Sequence, residues 1–214
     1  MQRYDDLPNL LLWKSFNKTT LAKGLCDFII TNRNVNTVEN NETNIMNNIA
    51  MKKLYYIDSV NSFPLDEFQR MIPISMPINK KIYDNVIINQ ALNLKELTDI
   101  LTRIIHNEKK KNTDTEPDLS LTNYHKVLVI INGIDIMYQN SSMSDTKQAH
   151  NQLNISLLRL RQCSNSSDRF FKTVILSRGA LNNSVQSSHS QKRSRYEGNS
   201  IYQFISKFYA DYSL

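Results

Sequence analysis

The chain has 214 residues, 40% of them hydrophobic, which excludes wholesale disorder and suits one α/β domain with a real core. Its 26 Lys and Arg against 20 Asp and Glu leave a formal charge of +6, a modest bias towards an acidic partner such as nucleic acid. Two cysteines, Cys26 and Cys163, are too few for a disulfide or zinc framework and read as small buried hydrophobes in a reducing compartment. The polar start Met1–Asp6, with no long apolar run after it, gives an expectation of an intracellular, soluble chain with no signal peptide and no membrane contact.

In chain order, the apolar stretch Leu10–Trp13 leads through Lys14–Thr20 into a helical pattern. Leu21, Leu25 and Phe28 share one face of it, Ala22, Cys26 and Ile29 flank them, and Asn17 or Thr19 is the N-cap. The Asn-rich residues 31–52 read as a flexible loop. Leu54–Asp58 is a strand, and Phe63–Phe68 starts a short helix with Pro64 near its first turn. Ile82–Asn89 reads as a third strand. Asn93, with Glu96 three residues on, caps a helix whose inner face is Leu94, Leu97, Leu101, Ile104 and Ile105. Residues 106–124 are charged, contain Pro117 and read as a surface loop, with Lys109–Lys111 as its solvated start. Val127–Asn132 is a strand buried on both faces. Gln139–Asp145 reads as polar and mobile, and Ala149, Leu153, Leu157 and Leu160 line the next helix. Thr173–Leu176 is another buried strand. Residues 178–198 form a Ser-, Asn- and Arg/Lys-rich loop, and Ile201, Phe204, Ile205 and Phe208 resume a helical period that passes into a final short strand. Strands alternating with helices predict an α/β fold with a central, mostly parallel sheet.

Two places have the framework of nucleotide chemistry without its working groups. Lys18 and Thr19 stand where the end of a phosphate-binding loop would be, but no glycine precedes Gly24, so no backbone cradle is expected. The strand Val127–Ile131 ends in Asn132, where a P-loop ATPase keeps the Asp that holds magnesium. The four histidines show no metal-ligand spacing, and no catalytic triad can be composed. The expectation is therefore no catalytic residue, no metal and no cofactor. A basic cluster, Lys192, Arg193 and Arg195 with Tyr196 beside them and Arg178 upstream, has the composition of a DNA-contacting loop: cations for phosphates and an aromatic for stacking on a base. A solvated loop and a nuclear-import signal are the alternative readings.

Tyr56–Phe63 resembles the Y-I-D-T-E-G-T-F segment of the RecA-like recombinases of eukaryotes and archaea, with Val60 at the catalytic Glu. Asp84–Asn93 is similar to their D-N-V-A-Y-A-R-A-F-N, and Val129–Tyr138 to their L-I-V-D-S-A-T-A-L-Y, with Asn132 at the magnesium-binding acid. Thr173–Ser177 resembles the strand that enters their second DNA-binding loop. In order, these matches span about three-quarters of the chain. Within that group the wording of Tyr55–Leu65, Ile82–Asn85 and Tyr209–Asp211 is similar to the small Shu complex subunits of budding yeasts, the family named for chromosome segregation in meiosis.

The resemblance implies a RecA-like domain over residues 1–214 with a degenerate P-loop and no separate N-terminal domain. It also implies a non-catalytic nuclear subunit, with or without a cytoplasmic pool, that binds DNA through phosphates and without sequence preference. Its implied partners are a second recombinase-like subunit as obligate heterodimer, further Shu complex subunits and the recombinase filament. The implied roles are in homologous recombination, error-free post-replication repair and meiotic recombination. A pure scaffold without DNA contact, and a divergent ATPase completed by its partner, are the alternatives that the residues leave open.

Overall fold

A computed structural model of the chain describes residues 7–14, 16–30, 52–113, 126–165, 171–177 and 194–213. Strands β1 (Leu10–Lys14), β2 (Lys52–Asp58), β3 (Val86–Gln90), β4 (Lys126–Asn132), β5 (Phe171–Ser177) and β6 (Tyr212–Ser213) form one six-stranded sheet in the order β3-β2-β4-β5-β1-β6. Each of its pairings is parallel. The strands built around Tyr55, Val86, Val129 and Ile175 thus share one sheet, as the alternating pattern predicts.

Parallel neighbours need crossovers, and the described crossovers are helical. The helices are α1 (Lys18–Ile30), α2 (Leu65–Met71), α3 (Pro77–Asp84), α4 (Leu94–Thr113), α5 (Ile134–Ser142), α6 (Thr146–Asn165) and α7 (Ser194–Phe208). Strand residues alternate between two cores. Leu10, Leu12, Tyr55, Ile57, Val127, Val129, Ile131 and Ile175 meet the apolar faces of α4 to α7. Leu11, Leu54, Tyr56, Leu128, Ile130, Val174 and Leu176 meet those of α1 together with Phe68 of α2 and Ile82 of α3. Burial on both faces is why these strands read as unbroken hydrophobic runs. Each fully buried Leu or Ile contributes about 1.5–3 kcal/mol on leaving water.

Local signals set most element ends. Asn17 caps α1: its Oδ1 accepts from the Thr20 N–H at 2.7 Å, and Thr20 Oγ1 accepts from the Asn17 N–H at 3.2 Å. Thr19, the other candidate cap, lies inside the helix. At α4, Asn93 Oδ1 accepts from the Glu96 N–H at 2.9 Å, while Glu96 reaches back to the Leu92 N–H at 2.7 Å.

Several expectations are corrected. Ile82–Asn85 is not strand: Pro77 opens α3 at its first turn, Ile82 is buried in that helix, and β3 begins only at Val86. Gln139–Ser142 is not mobile chain but the end of α5, which has Ile134, Met137 and Tyr138 on its buried face. Residues 106–113 are not loop, because α4 runs on to Thr113. Glu108 there is buried and explains the extension. It accepts from Tyr55 Oη at 2.7 Å and pairs with Lys53 Nζ at 3.0 Å, tying the helix to β2. Burial, followed by the Glu108 hydrogen bond and charge, raises the Tyr55 phenol above its ordinary range. Lys52 is in β2 rather than the preceding loop, with Nζ donating to the Phe28 carbonyl at 2.8 Å. Residues 31–51 and 114–124 lie outside the described residues.

The segment Tyr209–Asp211 closes the sheet at its far side. Asp211 exchanges backbone and carboxylate hydrogen bonds with Leu10, both at 2.9 Å. Arg161 of α6 pairs with Asp211 at 3.2 Å and donates to the Tyr209 carbonyl at 2.6 Å. Tyr209 Oη donates to Asn154 Oδ1 at 3.1 Å.

Candidate functional site

Because all six strands run the same way, the ends of β1, β2, β4 and β5 meet at one rim of the sheet. That carboxyl rim is where open α/β sheets bind their ligands. It carries Lys18 and Thr19 after β1, Val60 after β2 and Asn132 at the tip of β4, so the fold brings the sequence-predicted positions to one edge.

The rim is filled by its own hydrogen bonds. Asn132 is fully buried, and its Nδ2 faces Ser62 Oγ at 2.6 Å, Asp58 Oδ1 at 3.2 Å and Tyr56 Oη at 3.2 Å. Asp58 lies directly beside Asn132 in the register of β2 and β4. Its carboxylate also accepts from the Val60 N–H at 3.0 Å and from the Ser62 N–H, which folds residues 58–62 back on the strand end. The amide turns its nitrogen and not its oxygen to the carboxylate, since the amide oxygen there would meet Asp58 lone pair to lone pair. The remaining Asn132 atom, Oδ1, is buried without a hydrogen-bond partner among the described residues, a cost the network carries.

A second tie runs beside it. The Ser59 N–H donates to the Asn132 carbonyl at 3.1 Å, and Ser59 Oγ donates to the Gly133 carbonyl at 3.0 Å. Gly133 has φ of 81°, and a Cβ there would stand 1.9 Å from Ser59 Oγ. Glycine is required on both counts. Below the turn, Phe63 packs edge-on to Tyr56 with ring centroids 5.1 Å apart, and Phe68 follows at 5.7 Å. The strand-to-turn segment Tyr56–Phe63 is thus held together by its own hydrogen bonds and ring contacts.

The third position is closed in a different way. β1 ends at Lys14 and α1 begins at Lys18, leaving Ser15, Phe16 and Asn17 between them. A phosphate-binding loop needs the longer G-x-x-x-x-G-K-[S/T] excursion. The helix end that would face a phosphate is capped by Asn17 instead. Lys18 and Thr19 are exposed residues of the first helical turn. These residues do not fit a magnesium–nucleotide: the cradle is absent, the β4 tip presents donors inwards to Asp58, and the turn after β2 carries Val60 where an acid would act. No cluster of His, Cys, Asp and Glu suited to a metal occurs among the described residues. Cys26 and Cys163 are buried and free. Burial, then the charge of Asp27, raises the Cys26 thiol to about 12, which keeps it protonated and unreactive at neutral pH.

Arg178, Lys192 and Arg193 of the expected DNA-contacting loop lie outside the described residues. Arg195, Tyr196 and Gly198 do not belong to a loop: they lie in the first turns of α7, which starts at Ser194. The chain leaves the sheet at Ser177, on the same rim as Asn132. Sequence reasoning missed Tyr56, Asp58, Ser59 and Ser62 as one hydrogen-bonded unit. Asp58 two residues ahead of a turn N–H was a usable signal for part of it.

The architecture defines the class: an α/β domain with a single parallel sheet, compatible with a RecA-like core, whose ligand rim is occupied by its own side chains. Residues 12–210 match the family described as Shu complex component Csm2, DNA-binding, and the chain belongs to that family. It is 32% identical over 230 residues to chromosome segregation in meiosis protein 2 of Candida glabrata, covering 98% of this chain and 97% of that one. It is 30% identical to the protein of the same name from Saccharomyces cerevisiae, over 97% of both chains. The Eremothecium gossypii protein of that name is 29% identical over 76% of this chain and 85% of its own.

Proposed function

We propose that the chain is the non-catalytic, DNA-binding subunit of a Shu-type complex. In this reading it assists recombinase filament assembly during homologous recombination, error-free post-replication repair and meiotic recombination in the nucleus. The observation that carries it is the inward commitment of Asn132 to Asp58, in a chain of a DNA-binding family of Shu components. A subunit whose nucleotide rim is satisfied internally acts by binding and not by turnover. The +6 charge and the cations Arg178, Lys192, Arg193 and Arg195 supply phosphate contacts, with Tyr196 for stacking. Such contacts carry no sequence information. In this reading residues 1–214 form one RecA-like domain. The divergent-ATPase alternative needs the β4 tip to turn its ligand face outwards, which breaks the bonds to Asp58 and Ser62.

A subunit that has given up nucleotide needs partners to define its state, and the proposed one is a second recombinase-like subunit in an obligate heterodimer, with further Shu subunits around it. Purification through a tag on this chain, followed by mass spectrometry, tests this. The expected result is a second RecA-like chain in equal amount. A stable monomer with full DNA affinity by itself would contradict the proposal.

A further inference from the structure

Between α2 and α3, on the way from β2 to the edge strand β3, the backbone is pinned while its side chains face solvent. Ile72 is buried in the core that holds Phe68 and Ile82, and its carbonyl accepts from Tyr83 Oη. The Pro73 carbonyl accepts from Asn79 Nδ2 at 2.8 Å and from the Met76 N–H at 3.2 Å. The Met76 carbonyl accepts from the Asn79 N–H at 2.9 Å. Asn79 is itself buried, so its amide serves this turn and nothing in solvent. Pro73 and Pro77 fix φ at either end and bring no N–H that needs a partner. On this frame Met71, Ile74 and Met76 are 41%, 60% and 55% exposed. Single exposed apolar side chains are ordinary. Three within residues 71–76, on a turn the fold has already ordered, form a contact surface that loses little backbone entropy when a partner arrives.

The charge around the turn identifies what fits it. Residues 69–81 contain Arg70, Lys80 and Lys81 and no Asp or Glu. Arg70 and Lys80 are exposed and form no ion pair among the described residues. We propose that this turn docks an acidic, amphipathic segment of a partner protein, whose apolar side chains cover Met71, Ile74 and Met76 and whose carboxylates meet Arg70 and Lys80. Methionine suits the role, because its unbranched thioether adapts to the shape of what covers it. Nucleic acid offers phosphates to the two cations but little apolar surface to cover Ile74. A lipid surface takes up the long apolar face of an amphipathic helix, whereas these residues sit on a turn between helices of 7 and 8 residues. A second copy of this chain about a two-fold axis would bring the same cations against themselves. The proposal stands apart from the DNA-binding reading, and its failure would leave that reading untouched.

The test places the photo-crosslinking residue p-benzoylphenylalanine at position 74 of the full chain or, as a control, at position 143, where Met143 is 83% exposed on the turn between α5 and α6. Cells are irradiated, the chain is captured through a tag, and the joined peptides are sequenced by mass spectrometry. The expected result is one partner segment joined at position 74 and not at 143, with Asp or Glu interleaved among its apolar residues. Arg70→Glu with Lys80→Glu should cut that yield about tenfold, and replacing the acids of the segment by Lys should restore it in the same variant. Such a rescue cannot come from a misfolded chain. The synthetic segment, followed by fluorescence anisotropy, should bind the chain about tenfold more weakly after Ile74→Ser with Met76→Ser. No crosslink at position 74, equal crosslinking at 143, or a crosslink to lipid, DNA, a second copy of this chain or a segment without acids would overturn the proposal. So would a yield that charge reversal leaves unchanged.

Discussion

Replacing Asn132 by Asp, which puts an acid at the tip of β4, is expected to destabilise the protein by about 2–4 kcal/mol at neutral pH. The corresponding fall in Tm is roughly 5–15 °C for a chain of this size. The nearest Asp58 oxygen is 3.2 Å from the Asn132 amide nitrogen, so the substitution sets a second carboxylate against the first in a buried site and removes a donor to Ser62. Desolvation and the like charge together hold the introduced carboxyl protonated in the fold to a higher pH than in the unfolded chain. An acid whose folded pKa is raised keeps its relative stability below its unfolded pKa and loses it as pH rises through the folded value. The deficit of the variant should therefore shrink as pH falls from neutral towards about pH 4, the ordinary Asp value, because the protonated acid again donates to Asp58. Thermal melts of both proteins across that range check the expectation. Equal stability at neutral pH would show that the rim does not depend on the amide.

The largest functional effect is expected from replacing Lys192, Arg193 and Arg195 together by Ala. If each cation neutralises about one phosphate, the slope of log affinity against log salt flattens by up to about three, and affinity at low salt falls by roughly one to two orders of magnitude. Stability should be nearly unchanged. Ala is the best helix former, so it is well tolerated at residue 195 within α7. Since phosphates and not base edges are contacted, the loss should be the same for unrelated oligonucleotide sequences. Anisotropy titrations on the assembled complex measure all three quantities. A triple variant with wild-type affinity and salt slope would leave the basic cluster to import or docking, and the scaffold reading would prevail.

Elements whose sequence carries a dominant local signal were legible. The runs Val127–Ile131 and Thr173–Leu176 admit little but a doubly covered strand, and the Asn93–Glu96 pair marks a helix start by its own hydrogen bonds. What escaped was decided by tertiary contact. Nothing local tells that Glu108 is buried, because its partners Lys53 and Tyr55 lie on another element, and so the charged end of α4 read as loop. Ile82 reads equally well as strand or helix until Pro77 is given its place at a first turn. At the rim, sequence showed which chemistry was missing at Val60 and Asn132 but not what replaced it. The bonds joining Asn132 to Asp58 and Ser62 span 74 and 70 positions and become visible only when β2 and β4 pair.

The central claim is that the rim holds itself in place of nucleotide while the subunit binds DNA. Its most direct test is a DNA titration of the tagged complex with magnesium and ATP, and without them, alongside a phosphate-release assay. The account predicts equal affinity and equal salt slope in both conditions, and no release that depends on this chain. Binding that tightens with ATP, or phosphate release, either of them abolished by Lys18→Ala, would contradict it.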